Sequence, residues 1–312
     1  MNIPVYLVTG FLESGKTSFL KEILKDREFL GGQNNLLIVC EEGEIEFDEK
    51  ELKDSKTTLI MIEDEEELTS EYLKELEKKY KPKKIFMEYN GMWSMENLFD
   101  NVMPEEWEVV QIMTTIDSTT FSAYMGNMGS IIVEQYRDSD LVVFNRCDEN
   151  TKKISLRGSI KSVNRQARVI FENKNGQIDN SEDILPYDIN AEIIEPEEYD
   201  FGILYEDMMS NPAKYENKKV KAKMMAFNPE NYPPQFCVLG RGAMTCCADD
   251  ITPLGLICRF QNDVELQDKE WVEITAVVHK RKIHEYEDEL PVLYVEKISK
   301  AEKPEDELVY FY

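Results

Sequence analysis

Apolar residues follow two different rhythms along this chain, and the change between them falls near residue 180. In the first half, strand-like runs rich in apolar residues recur at 5–8, 35–40, 57–62, 83–87, 107–116, 141–144 and 168–171; the continuous run at 35–40 suits a buried parallel strand. Between them lie stretches of helical spacing at 19–24, 66–80, 95–102, 130–136 and 155–167. In the second of these, Leu68, Tyr72, Leu73 and Leu76 share one face. Strands alternating with helices predict a mostly parallel sheet covered on both faces. In the second half, a helix at 201–209 precedes strand-like runs at 218–226, 235–241, 254–260, 271–279 and 292–298. Five short strands within about 85 residues predict a small closed barrel of OB type. The expected organisation is a first domain at 1–179, an acidic linker at 180–200 carrying Pro186 and Pro196, and a β domain at 201–312.

The first apolar run leads into the stretch that organises the chemistry, Gly10-Phe11-Leu12-Glu13-Ser14-Gly15-Lys16-Thr17-Ser18. The spacing G-x-x-x-x-G-K-T, with a strand before it and a helix after it, is that of a phosphate-binding loop. Glycine backbones let successive N–H groups curl round an anion, and the following helix adds its positive end. Such a loop places Lys16 on the β and γ phosphates and the Thr17 hydroxyl on Mg²⁺.

Two later strand ends suit the same site. Glu88-Tyr89-Asn90-Gly91 follows the run at 83–87. An acid there can hold a Mg²⁺-bound water, and the Gly91 N–H can meet the γ-phosphate. Asn145-Arg146-Cys147-Asp148 follows the run at 141–144. A carboxylate at Asp148 can accept from the N1–H and N2–H₂ groups of guanine, a donor pair that adenine lacks.

Charge narrows the partners. The formal net charge is -26, which opposes both non-specific nucleic-acid binding and association with an anionic membrane surface. Much of the acid lies at 41–54, 63–67 and 192–207, and a solvated surface accounts for most of it. No apolar run reaches the length of a membrane span, and no secretory signal is visible, so no direct membrane insertion is expected. Six cysteines without a regular framework suit a reducing, cytoplasmic location.

With these motifs in place, residues 1–175 resemble the CobW family of P-loop GTPases, which includes metal chaperones and metal-insertion factors. Thr9-Gly10-Phe11-Leu12-x-Ser14-Gly15-Lys16-Thr17 is close to that family's phosphate loop. Cys40-Glu41-Glu42-Gly43-Glu44, with Asp48 after it, is similar to its Asn-Glu-Phe-Gly-Glu switch, with Cys40 replacing Asn and Glu42 replacing the aromatic. Asn145-Arg146-Cys147-Asp148 looks like its Asn-Lys-x-Asp, with Arg146 for Lys. Asn164-Arg165-Gln166-Ala167 resembles the Asn-x-x-Ala that follows. The resemblance implies an α/β P-loop GTPase fold, bound GTP or GDP with Mg²⁺, and Glu41, Glu44 or Asp48 as acids that close on the nucleotide. One departure stands out. The family holds its metal through Cys-x-Cys-Cys, but the corresponding 57–62 has neither cysteine nor histidine.

Residues 205–312 resemble the soluble domain of a bacterial family of permease-complex subunits. The similar segments include Asn211-Pro212-x-Lys214-Tyr215 and Met244-Thr245-Cys246-Cys247-Ala248-Asp249-Asp250. Cys246 and Cys247 are candidate Zn²⁺ ligands, with Asp249 or Asp250, Cys237, Cys258 or a distant histidine completing the set; packing and an ordinary surface thiol are the alternatives. His279 and His284 read as ordinary surface histidines.

The expected protein is a cytoplasmic Mg²⁺-dependent GTPase of two domains, acting as a switch in metal homeostasis or trafficking. Lys16 and Glu88 are its expected catalytic residues. Gly10, Glu13, Ser14, Gly15, Thr17, Ser18, Gly91, Asn145 and Asp148 complete the nucleotide site, and Thr17 and Glu88 take the Mg²⁺. A metalloprotein or a membrane permease is the expected partner. The alternative is a non-catalytic GTP- or GDP-binding regulator of a permease or other partner, without a transported metal of its own.

Overall fold

The computed structural model describes residues 2–41, 43, 47–246, 250–283 and 289–311. The chain divides into two compact units, Met1–Thr151 with Asn164–Asn180, and Lys152–Val163 with Ser181–Tyr312.

The first unit is built on seven parallel strands: β1 (Ile3–Thr9), β2 (Asn35–Val39), β3 (Thr57–Met61), β4 (Lys84–Glu88), β5 (Trp107–Asp117), β6 (Leu141–Cys147) and β7 (Arg168–Asn173). Their order is β3-β2-β4-β1-β5-β6-β7, and every pairing is parallel. The continuous apolar run at 35–40 is explained by burial on both faces, and all five residues of β2 are buried. The chain moves outward in one direction from β1 to β3, then returns past β1 to reach β5. The crevice at such a reversal, beyond the carboxyl ends of the strands, is where open α/β sheets take ligands. Register brings the motif residues to that edge. Val8 pairs with Glu88, Thr9 with Thr114, and Asp117 with Asn145.

Helices α1 (Lys16–Lys25), α2 (Arg27–Leu30), α3 (Glu49–Asp54), α4 (Ser70–Tyr80), α5 (Met95–Asn97) and α6 (Phe121–Tyr136) complete this unit. Several differ from the spacing-based expectation. The helix expected from 66 starts at Ser70, because the Thr69 hydroxyl accepts from the Tyr72 N–H and caps it there. The one expected at 95–102 is a short α-turn followed by a π-helical turn, Leu98–Val102. Most informative is α6, which begins nine residues before the expected 130. Its first half, with Gly126, Asn127 and Gly129, is poor in helix formers, and Met128 leaves helical geometry at φ -139°. Tertiary packing of Phe121 and Met125, both buried, holds that half.

The second unit contains α7 (Lys153–Val163), α8 (Phe201–Ser210) and five strands: β8 (Lys219–Phe227), β9 (Phe236–Met244), β10 (Ile251–Arg259), β11 (Trp271–Lys282) and β12 (Glu289–Lys300). The order β10-β12-β11-β8-β9 closes on itself through β9–β10 pairing, which makes the expected small barrel. All its pairings are antiparallel except β10–β12. A short strand, β13 (Leu308–Val309), adds to β9. Residues 181–200 belong to this unit: Ile194 is buried and bridges to Val220, and Asp183 pairs with Arg157 of α7 at 2.8 Å. Inside the barrel unit, the Asp207 carboxylate accepts from Tyr215 Oη at 2.5 Å, Lys214 Nζ at 2.6 Å and Asn211 Nδ2 at 3.0 Å. Three side chains of the Asn211-Pro212-x-Lys214-Tyr215 segment therefore converge on one buried carboxylate.

Candidate nucleotide site

The loop after β1 takes its shape from close backbone approach. Gly10 has φ +133°, and a Cβ there would lie 2.2 Å from the Thr115 carbonyl oxygen. A Cβ on Gly91 would lie 2.2 Å from the Gly10 carbonyl oxygen. The end of β5 and the turn after β4 thus grip the start of the loop, and side chains are excluded at both glycines. Gly15, with φ +97°, starts α1 from a left-handed conformation, and Glu13 also has positive φ at 59°. Ser14 is buried and shares a 3.0 Å hydrogen bond with Thr115 Oγ1. Its hydroxyl faces the sheet, so its contribution to a ligand is through the main chain.

The loop is also braced from β6. Asn145 Nδ2 donates to the Ser14 carbonyl at 2.5 Å. Arg146 Nη1 donates to the Glu13 carbonyl at 2.9 Å and forms an ion pair with Asp117. Burial alone would raise the Asp117 carboxyl, but hydrogen bonds from Thr119 and Arg146 outweigh it and hold it low. The exchange of lysine for Arg146 was visible in sequence. Its link between Asp117 and the loop was not, because that needs the strand ends to be neighbours.

At the start of α1, Lys16 is 3% exposed. Its ammonium donates to the Gly10 and Phe11 carbonyls, each at 2.9 Å, and pairs with Glu41 Oε2 at 2.6 Å. Thr17 Oγ1 donates to Glu88 Oε1 at 2.8 Å. The other oxygen, Glu88 Oε2, is buried with no hydrogen-bond partner among the described residues. Burial pushes the Glu88 carboxyl up; Thr17 and Lys16 oppose that, and Glu41 reinforces it. A buried carboxylate oxygen without a partner is costly, and a hard cation is a fitting partner for it. Glu13, Gly15, Ser18 and Gly43 line the same groove.

Among the described residues, Glu41 is the switch-segment acid placed in this groove. Asp48 caps α3, accepting from Lys50 N at 2.8 Å and Glu51 N at 3.1 Å, and those N–H groups hold its pKa down. Glu44 lies outside the described residues.

Two turns lie side by side at the carboxyl edge of the sheet, because Cys147 pairs with Asn173 across β6 and β7. Asp148 follows one and Lys174 the other. Asp148 accepts from the Asn150 N–H at 3.0 Å and pairs with Lys174 at 3.2 Å; both lower its pKa, the Asn150 N–H most. Asn145 Oδ1 is buried and without a hydrogen-bond partner among the described residues.

In the second unit, Cys246 Sγ donates to Asp250 Oδ2 at 3.3 Å. Cys247, Asp249 and His284 lie outside the described residues. Cys237 and Cys258 face each other across β9 and β10 inside the barrel, and burial pushes their thiols up, Cys237 to about 11. His279 pairs with Glu216 at 3.1 Å. Among the described residues, no group of three or more histidine, cysteine or acidic side chains is arranged to hold a metal. No helix among them is long and apolar enough to cross a membrane.

Comparison with known proteins bears on both units. Residues 172–311 match the DUF1980 C-terminal domain. Residues 4–171 match the CobW/HypB/UreG nucleotide-binding domain. Among solved structures, the chain is similar to a zinc-bound triple mutant of the YjiA GTPase, at 18% identity and TM-score 0.45, covering 75% of this chain and 74% of that one. It is also similar to hydrogenase maturation factor HypB from Archaeoglobus fulgidus, at 15% identity and TM-score 0.38, covering 56% of this chain and 84% of that one. No curated protein matches. The nucleotide-binding match spans more than half of the 312 residues and contains the loop, Glu88 and Asp148. The chain therefore belongs to the CobW/HypB/UreG family of P-loop GTPases, a family that includes metal-related chaperones.

Proposed function

We propose that this protein is a Mg²⁺-dependent GTPase switch in metal homeostasis, converting GTP and water to GDP and phosphate. The observation that carries the reading is the group Lys16, Thr17 and Glu88 at the mouth of the loop. Thr17 Oγ1 and the unpartnered Glu88 Oε2 are the oxygens that would hold Mg²⁺. Bound there, the ion would supply charge neutralisation at the β and γ phosphates. The Lys16 ammonium stabilises the same phosphates once they take the place of Glu41. The N–H groups at the start of α1 add a fixed positive end. Glu88 orients water at the terminal phosphate, and ionised Asp148 accepts the N1–H and N2–H₂ edge of guanine.

The output reaches the second unit through the chain itself. Three residues after Asp148, at Thr151, the chain leaves the first unit, and α7 packs with α8 before the chain returns at Asn164. A change in the Asp148 turn on nucleotide binding is therefore applied directly to the start of α7. A metalloprotein or a membrane permease would read the second unit.

One observation favours the rival reading, a non-catalytic regulator. β3 and Ile62, where the family's thiolates would stand, carry neither cysteine nor histidine. A turnover assay with GTP and ATP, titrated with Mg²⁺, separates the two. Mg²⁺-dependent GTP hydrolysis, lost in Lys16→Ala with about 2–5 kcal/mol of nucleotide affinity, supports the GTPase. Tight GTP binding without turnover supports the regulator, and equal affinity for ATP and GTP overturns the guanine assignment.

A further inference from the structure

We infer that Lys174 reads the O6 atom of the guanine base, which makes it a second specificity residue beside Asp148; this rests on the guanine-nucleotide reading above. Four observations place it. Register sets Asn173 beside Cys147, so Lys174 and Asp148 emerge side by side at the carboxyl edge of the sheet. Their side chains meet at 3.2 Å. Lys174 stands on a tight hairpin rather than a loose loop: Asn173 N donates to the Gln177 carbonyl, and Asn173 Oδ1 accepts from the N–H groups of Asn175 and Gln177. Lys174 also lines a groove shared with Gly15, Ser18, Asn145 and Arg146.

The chemistry follows from the order of groups along the guanine edge. Exocyclic N2–H₂, ring N1–H and O6 succeed one another, two donors and then an acceptor. A carboxylate that accepts from N2–H₂ and N1–H has O6 at its flank. An ammonium already held against that carboxylate is positioned to donate to O6. Adenine offers a ring acceptor at N1 and an N6–H₂ donor, so it opposes both the carboxylate and the ammonium. The pair therefore discriminates by repulsion as well as attraction. An exposed ion pair of this kind adds little to stability, so Lys174 can be changed without unfolding the chain.

The test uses the full chain and equilibrium binding of GTP, 6-thio-GTP and inosine triphosphate. The thio analogue weakens only the acceptor at position 6, and inosine triphosphate lacks only the 2-amino group. Lys174→Ala should lower GTP affinity about tenfold. It should erase the preference of the unmodified protein for GTP over 6-thio-GTP and leave the preference for GTP over inosine triphosphate unchanged. Lys174→Arg should restore the first preference. A GTP to 6-thio-GTP ratio unaffected by Lys174→Ala would overturn the inference by leaving O6 to a main-chain N–H. Asp148→Asn separates this from failure of the underlying reading: guanine recognition itself falls if that change does not relax discrimination against xanthosine triphosphate.

Discussion

Two buried carboxylates, one in each unit, show how differently the same group can be used. Asp207 in the barrel unit is fully buried, with a lysine, a tyrosine and an asparagine donating to it. Its donors all lie within eight residues of it, and Tyr187 extends the network by donating to Tyr215 at 2.8 Å. Glu88 in the sheet unit is 3% exposed and has one donor, Thr17, for two oxygens. Its neighbours include a second acid, Glu41. A satisfied network rigidifies what it joins, whereas a half-satisfied one is unfavourable until something else arrives. The first pattern reads as architecture, and the second as a place kept ready for a cation and a phosphate.

Breaking the satisfied network should have the largest effect. Asp207→Leu removes the acceptor for a buried Tyr215 hydroxyl and for Lys214, and should destabilise the second unit by about 3–5 kcal/mol. Denaturant unfolding followed at the barrel tryptophan, Trp271, measures this; a loss below about 1 kcal/mol would show that the carboxylate is dispensable.

Glu88→Gln should do the reverse. Nucleotide-free stability should be kept or rise, while Mg²⁺-dependent turnover falls about a hundredfold. The pH dependence sharpens the contrast. The folded-state pKa of Glu88 is raised by burial, so its charged form opposes folding. That opposition is absent below the unfolded value of about 4.3 and complete only above the folded one. The stability gained from Glu88→Gln should therefore be larger at about pH 8 than at about pH 4, as thermal melts of the two proteins without nucleotide would show. A gain independent of pH would mean that Glu88 is not the titrating group.

The smallest expected effect belongs to Glu41. Its carboxylate occupies the ammonium of Lys16 at 2.6 Å, where a phosphate is expected. Glu41→Gln should raise GDP affinity measured in a chelator by up to about tenfold. A loss seen only with Mg²⁺ present would instead make Glu41 a contributor to the metal site.

Much of the first unit could be read from the chain because its signals are local. The phosphate loop combines a strand, two glycines, Lys16 and Thr17 within fifteen residues, and the buried strands declare themselves as runs rich in apolar residues. The barrel's strands were visible as short strand-like runs, and their edges lay within a few residues of those observed. Legibility failed where propensity and packing disagree. The first half of α6 contains glycines that weaken its helical signal, yet burial of Phe121 and Met125 holds it. The short α3 was hidden in an acidic stretch, although its cap, Asp48, was in plain view.

What the sequence alone determined was the list of chemical groups: the loop, the acid after β4, the Asn145–Asp148 turn and the cysteines of the second half. Tertiary structure decided their use. Strand order sets β1 between β4 and β5, so Glu88 meets Thr17 across a separation of 71 residues. Register between β6 and β7 brings Lys174 to Asp148. The choice among Glu41, Glu44 and Asp48 was open because all three are carboxylates on one short segment. Backbone geometry turned Asp48 into a helix cap and Glu41 toward Lys16. The physical reason is common to these cases: residue type and spacing specify what a side chain can bond, but partners distant in sequence are supplied only by the folded sheet.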